Sequence, residues 1–158
     1  HEITQKKLTE LENIRSIAAQ MCHFSSKEDA TKKSPAVPKM TIIAPPMDYI
    51  DVTGVERKAT DMDCTIRMMS MQKPHQALAI TGAICTTAGA FLKDSILSDI
   101  VKVNQEVVRL GHPAGIMETK VELIAGSISA IKVVRTARMI LEGYAFTKKN
   151  YEFTSKLA

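Results

Sequence analysis

SMQKPHQALAITGAICTTAGAFL, Ser70 to Leu92, carries Lys73, Pro74 and His75 at its entrance and then runs from Pro74 to Leu92 without one formally charged side chain. A span across a bilayer needs about 20 consecutive apolar residues. The apolar part, Ala77 to Leu92, has 16, and Thr81, Gly82, Thr86, Thr87 and Gly89 lie among them. The stretch therefore reads as a buried helix of a globular domain, over about Thr81 to Lys93. Small residues on every side (Ala83, Ala88, Gly89, Ala90) would let a sheet approach its backbone closely.

Sheet-forming sequence lies on both sides of it. Upstream, Met40 to Ala44 is a short apolar run stopped by Pro45 and Pro46, Tyr49 to Thr53 suits a strand, and Cys64 to Met71 does too because Pro74 follows so soon. Downstream, Gly115 to Leu123 alternates Met117, Thr119, Val121 and Leu123 with Glu118, Lys120 and Glu122, a strand with one wet face. Ser127 to Val134 and Met139 to Phe146 continue in that manner, with Arg135 and Arg138 between them. At the other end Leu8, Leu11, Ile14, Ile17, Ala18 and Met21 recur at helical spacing from Gln5 to Met21. Residues 24–38 are polar, hold two prolines and read as an exposed loop. The expectation is one α+β domain over residues 1–158: a curled, mostly antiparallel sheet around a central apolar helix.

Composition narrows the function classes. With 158 residues, 45% of them hydrophobic and 24% charged, the chain can bury a core. The net charge of +4 is mild and its lysines are scattered, which argues against nucleic acid as a partner. Cys22, Cys64 and Cys85 form no C-x-x-C pair, so neither a disulfide framework nor zinc is indicated, and a cytoplasmic setting fits. No basic and apolar leader pattern is visible, and nothing suggests a membrane partner. Position 1 is His rather than Met, which suggests a piece of a longer polypeptide.

The start of the apolar helix is the candidate site. Helix N-termini present unpaired amides and partial positive charge, so Thr81, Gly82 and Ala83 could seat a carboxylate or phosphate, with Gly82 admitting it close to the backbone and Lys73 and His75 adding charge. The same pattern also serves simply as a cap. His75 and His112 each adjoin a proline, which holds the local chain still; without a third ligand at useful spacing, a metal is not expected. Cys85 reads as an inert core thiol. Met62, Met68, Met69 and Met71 read as core filling or a pliable pocket, and Arg135 and Arg138 as either a second carboxylate clamp or a solvated strand junction.

Four stretches, PKMTIIAPPMDY, MMSMQKPHQALAITGAICTTAGA, VRLGHPAGIMETKVE and VVRTARMILEGYAF, resemble in order and spacing the C-terminal half of the PrpF family, the 2-methylaconitate isomerases and their relatives, which share the diaminopimelate epimerase fold. The similarity runs from about Leu11 to Phe146. It implies a protein of two similar halves, each a sheet curled about a helix, with the substrate between them. It also implies cofactor-independent proton shifts on small unsaturated di- or tricarboxylates. Thr81, Gly82 and Ala83 match the family's helix start, Ser70, Lys73, His75 and Gln76 its lead-in, and Gly111, His112 and Pro113 an HPSG-like turn, with Ala114 in place of the serine. Ala79 stands where related amino-acid epimerases carry a catalytic cysteine, so a two-thiol racemase is disfavoured. The resemblance further implies that the catalytic base comes from an N-terminal half not seen here. That half is then the partner, the isolated chain is inactive, and a homodimer is a further expectation. The competing reading is a non-catalytic accessory or interaction domain that retains the fold.

Overall fold

Thr4 begins the first helix by accepting a hydrogen bond from the Lys7 amide at 3.4 Å, and α1 then runs over Gln5–Met21, the span its apolar spacing predicts. The structure, a computed structural model, describes residues 3–101, 106–134, 139–144 and 146. Helix α1 buries a face made of Leu11, Arg15, Ser16 and Ala19. A buried arginine must be satisfied. Arg15 grips Glu12 through Nε at 2.7 Å and Nη2 at 2.6 Å, and donates through Nη1 to the carbonyls of Ser34 at 2.8 Å and Val37 at 3.2 Å. That grip ties the expected exposed loop to the helix. Within the loop a short helix α2 (Ala30–Lys33) buries Ala30 completely, so residues 24–38 are packed in part.

The main sheet contains β1 (Thr41–Ala44), β4 (Cys64–Ser70), β6 (Val107–His112), β7 (Gly115–Ile124) and β8 (Ser127–Val133), in that spatial order, with β5 (Lys73–Pro74) paired to β4. A separate hairpin joins β2 (Tyr49–Ile50) to β3 (Glu56–Arg57). Every pairing is antiparallel except β4 with β6, where Cys64 faces Leu110 and Thr65 faces Gly111 in parallel. Parallel neighbours need a crossover. The apolar stretch supplies it as α3 (Ile80–Ala90), followed by α4 (Ile96–Ile100).

Cys64, Ile66 and Met68 of β4, Val108 and Leu110 of β6, and Ala83 and Ala90 of α3 form the core. Two glycines set the close approaches. A Cβ on Gly82 would overlap the Met68 methyl, and one on Gly89 would lie 2.6 Å from Leu97 Cδ1. Thr87 and Thr119, both buried, share a hydrogen bond of 2.7 Å, and Thr119 also donates to the Val108 carbonyl at 3.1 Å, so the polar atoms within this layer are satisfied.

Three expectations are corrected. Helix α3 is not apolar and buried all round: Gly82, Ala83, Thr86, Thr87 and Ala90 face the core, while Thr81 and Cys85, one turn apart, are exposed. Cys85 is thus no core thiol; Cys64 is, and burial pushes its thiol up to about 12. Residues 139–144 form no strand, and Met139, Ile140, Leu141, Tyr144 and Phe146 are all more than three-quarters exposed. Alternation alone does not make a strand when no described edge pairs with it. Arg135 and Arg138 lie outside the described residues. Among the described residues no helix is long and apolar enough to cross a membrane.

Candidate functional site

Strands β4 and β6 run side by side and the same way, with Cys64 beside Leu110 and Thr65 beside Gly111, so the His112 turn leaves the sheet level with the middle of β4, while the β4–β5 hairpin folds back from Ser70 to bring His75 against Met68. The hairpin and the turn each present an imidazole pinned in the same manner. His75 Nδ1 accepts from the Ala77 amide at 3.0 Å, and its own amide donates to the Met68 carbonyl at 2.8 Å. His112 Nδ1 accepts from the Ala114 amide at 3.2 Å. An imidazole that accepts at Nδ1 keeps its proton at Nε2, so both rings offer Nε2 as a donor, and no described residue takes either proton.

His112 is only 7% exposed. Burial, then the positive charges of Arg67 and Arg57, hold its pKa below the ordinary value, against a smaller pull from Asp51. His112 is a neutral donor at pH 7.

The β2–β3 hairpin braces this turn. Tyr49 shares its hydroxyl proton between the carbonyls of His112 at 2.8 Å and Gly115 at 2.7 Å, and the Val52 amide donates to the Pro113 carbonyl at 2.8 Å. Gly115 has φ +132°, which disfavours any side chain, and a Cβ there would stand 3.4 Å from Arg57 Nη2. Arg57 is held in turn by Asp51, which accepts its Nε at 2.8 Å and Nη2 at 2.6 Å, as well as the Thr53 hydroxyl and amide and the Val55 amide. The Thr53 hydroxyl, with Arg57 and those amides, keeps the buried Asp51 carboxyl far below the usual carboxylate range. Arg67, from β4, lies over the Tyr49 ring at 4.8 Å and donates through Nη1 to the carbonyls of Ile66 at 2.8 Å and Gly111 at 3.3 Å. Burial raises the Tyr49 pKa more than the neighbouring cations lower it, so the phenol stays protonated.

The residues expected from the sequence fall into two groups. Ser70, Lys73, His75 and Gln76 follow one another through the β4–β5 hairpin, with Ser70 opposite Lys73, and His112 and Pro113 sit on the neighbouring turn. Gly82 and Ala83 are instead core residues: the space left by Gly82 is taken by Met68, not held open for a ligand. Gly111 likewise makes room for Met62 and the Cys64 carbonyl. Thr81 does not cap α3, whose N-cap is Ala79, and the first amides of that helix have no side-chain cap. An open cleft beside His112 is lined by Asp61, Arg109, Ile116, Met117, Glu118 and Val134. Tyr49, Asp51, Arg57 and Arg67 were missed by sequence reasoning. The available signal was a lone arginine inside the apolar run CTIRMMSM.

A sequence model of the family described as PrpF protein matches residues 1–148. The chain belongs to the PrpF family. Among PrpF relatives, the Bacillus subtilis (strain 168) protein named "Putative isomerase YraM" is 50% identical over 96% of this chain and 40% of its own length. The 3-methylitaconate isomerase of Eubacterium barkeri is 32% identical over 90% of this chain and 38% of its own. The crystal structure of a methylitaconate-delta-isomerase matches with a TM-score of 0.78 at 31% identity, covering 90% of this PrpF chain and 38% of that one. The chain thus spans about two fifths of the length of the relatives it matches.

Proposed function

We propose that this PrpF chain is the carboxylate-binding half of a cofactor-independent isomerase of a small unsaturated di- or tricarboxylate such as 2-methylaconitate, built on the diaminopimelate epimerase fold and acting with an N-terminal half of the same polypeptide. The observation that carries the reading is the pair of imidazoles, each fixed at Nδ1 and each offering Nε2–H. A proton taken from a carbon next to the double bond leaves its electron pair spread onto a carboxylate. Returning the proton at the far carbon of the allylic unit completes the shift. The imidazole N–H donors and the uncapped amides of α3 stabilise charge that builds on the carboxylate oxygens. Ser70, Lys73 and Gln76, on and just after the β4–β5 hairpin, are the further candidates for the carboxylate, and the exposed Thr81 contributes through its backbone amide. The base comes from the other half, and the chain by itself does not turn over.

The test is proton NMR in D2O with 2-methylaconitate, comparing this chain alone with the same chain inside a PrpF-length polypeptide. Isomerisation with deuterium uptake by the longer polypeptide alone is expected; no turnover by either counts against the isomerase. The second reading, an accessory domain that kept the fold, is favoured by Ala79, an N-cap with no side chain to offer chemistry. It predicts that His75→Ala and His112→Ala leave any activity of the longer polypeptide unchanged.

A further inference from the structure

Arg15, Arg57 and Arg109 all turn the same edge of the guanidinium, Nε with Nη2, onto a carboxylate of this chain: Glu12, Asp51 and Asp63 respectively. That edge is the side-on fork whose two parallel N–H groups match the two oxygens of a carboxylate. Arg67 departs from the pattern. Its Nη1 is spent on the Ile66 and Gly111 carbonyls, and the Tyr49 ring covers one face, yet among the described residues nothing accepts from Nε or Nη2. The residue as a whole is half-buried. A cation partly withdrawn from solvent, with its plane fixed by two carbonyls and a ring, and with its best carboxylate-binding edge vacant, is organised for an acid that the chain itself does not supply.

We propose that the Nε–Nη2 edge of Arg67 is a bidentate receptor for a carboxylate of the small-molecule ligand. Tyr49 sets the tilt of the guanidinium and His112 offers a further N–H from the adjoining turn. The assignment deepens the isomerase reading by naming the residue that fixes the substrate's orientation. It needs only that the ligand be a carboxylic acid.

The probe is cis-aconitate, titrated into the 158-residue chain while the 15N-labelled arginine Nε–H signals are followed. The Arg67 Nε–H is expected to move saturably, while those of Arg15 and Arg57, already engaged, stay still. Arg67→Gln should weaken binding about tenfold or more, and Arg67→Lys, which keeps the charge but loses the fork, should recover only part of it. The carboxylate could instead come from the remainder of a PrpF-length polypeptide. In that case the Arg67 Nε–H of the longer protein already sits at its shifted position without aconitate and does not respond to it, which overturns the ligand assignment. An Arg67 signal that ignores aconitate while Arg67→Gln binds it equally well also overturns it. Binding at Arg67 without any turnover leaves this subsite standing and removes the isomerase; turnover unaffected by Arg67→Gln does the reverse.

Discussion

Substituting alanine for Gly82 separates two meanings of a glycine at a helix start, room for a ligand and room for a neighbour. The added methyl would overlap Met68 Cε and lie 3.1 Å from its Sδ. Met68 is itself only 1% exposed, so its end has little space to retreat into. Overpacking of this kind costs about 1–3 kcal/mol. Exchanging glycine for alanine within a helix returns up to about 1 kcal/mol, leaving a net destabilisation of about 0–3 kcal/mol. Met68→Val removes both offending atoms and keeps a strand-forming side chain in β4. In that background Gly82→Ala retains the helix gain and loses the clash, so it should stabilise. The coupling between the two sites is therefore about 1–3 kcal/mol. With an m-value of about 2 kcal/mol/M in urea, it appears as a midpoint difference of about 0.5–1.5 M across the four proteins of the cycle. Far-UV circular dichroism in urea reads it directly. Equal shifts from Gly82→Ala in both backgrounds would refute the packing account, and loss of cis-aconitate binding in both, with folding intact, would restore the ligand account.

The His112 signal in an NMR titration should report a pKa below 6.5, and Arg67→Gln should raise it by removing a nearby positive charge. An unfolded histidine takes up its proton near pH 6.5, so the stability tied to neutral His112 is present above that pH and is lost as pH falls toward the folded value. Asp51→Asn should lower the urea midpoint at pH 7, because Arg57 loses its charged partner. It should also flatten the acid limb, since the contribution of Asp51 persists at neutral pH and disappears only as pH falls through its depressed folded value; an unchanged acid limb would count against the brace. In native protein a maleimide should label the exposed Cys22 and Cys85 and spare Cys64 until urea is added, as read by mass spectrometry. Tyr49→Phe leaves the His112 and Gly115 carbonyls without their shared donor and should cost about 1–2 kcal/mol, with faster amide exchange over residues 112–115 as the local signature.

What the sequence disclosed and what it hid divide along local and non-local lines. The span of helix α1 was legible from its apolar spacing but its buried face was not, since Ile14, Ile17 and Met21 are exposed while Arg15, Ser16 and Ala19 are buried; β7 was legible because Thr119 and Val121 pack while Glu118 and Lys120 stay wet. Strand β6 was hidden. VVRLGH has little alternation to announce it, and its place beside β4 is fixed by a crossover that no local pattern encodes. His75 and His112 could be picked out by their neighbouring prolines. Arg67 could not, because its meaning lies in what it lacks: only the hydrogen bonds among the described residues reveal that Arg15, Arg57 and Arg109 are paired there and that Arg67 keeps an edge open. Gly82 was noticed for the right reason, close approach, but the approaching group is the side chain of Met68 on another element, beyond the reach of a helical pattern.

The run from Met139 to Phe146 leaves five large apolar side chains standing in water beside a glycine. Its consequence is colloidal. Strand-forming chemistry with no strand to join among the described residues is adhesive, and copies of the chain are expected to find one another through it as concentration or salt rises. Light scattering should grow accordingly, and a single lysine in place of Leu141 should quiet it, giving a dispersed sample for every titration described above.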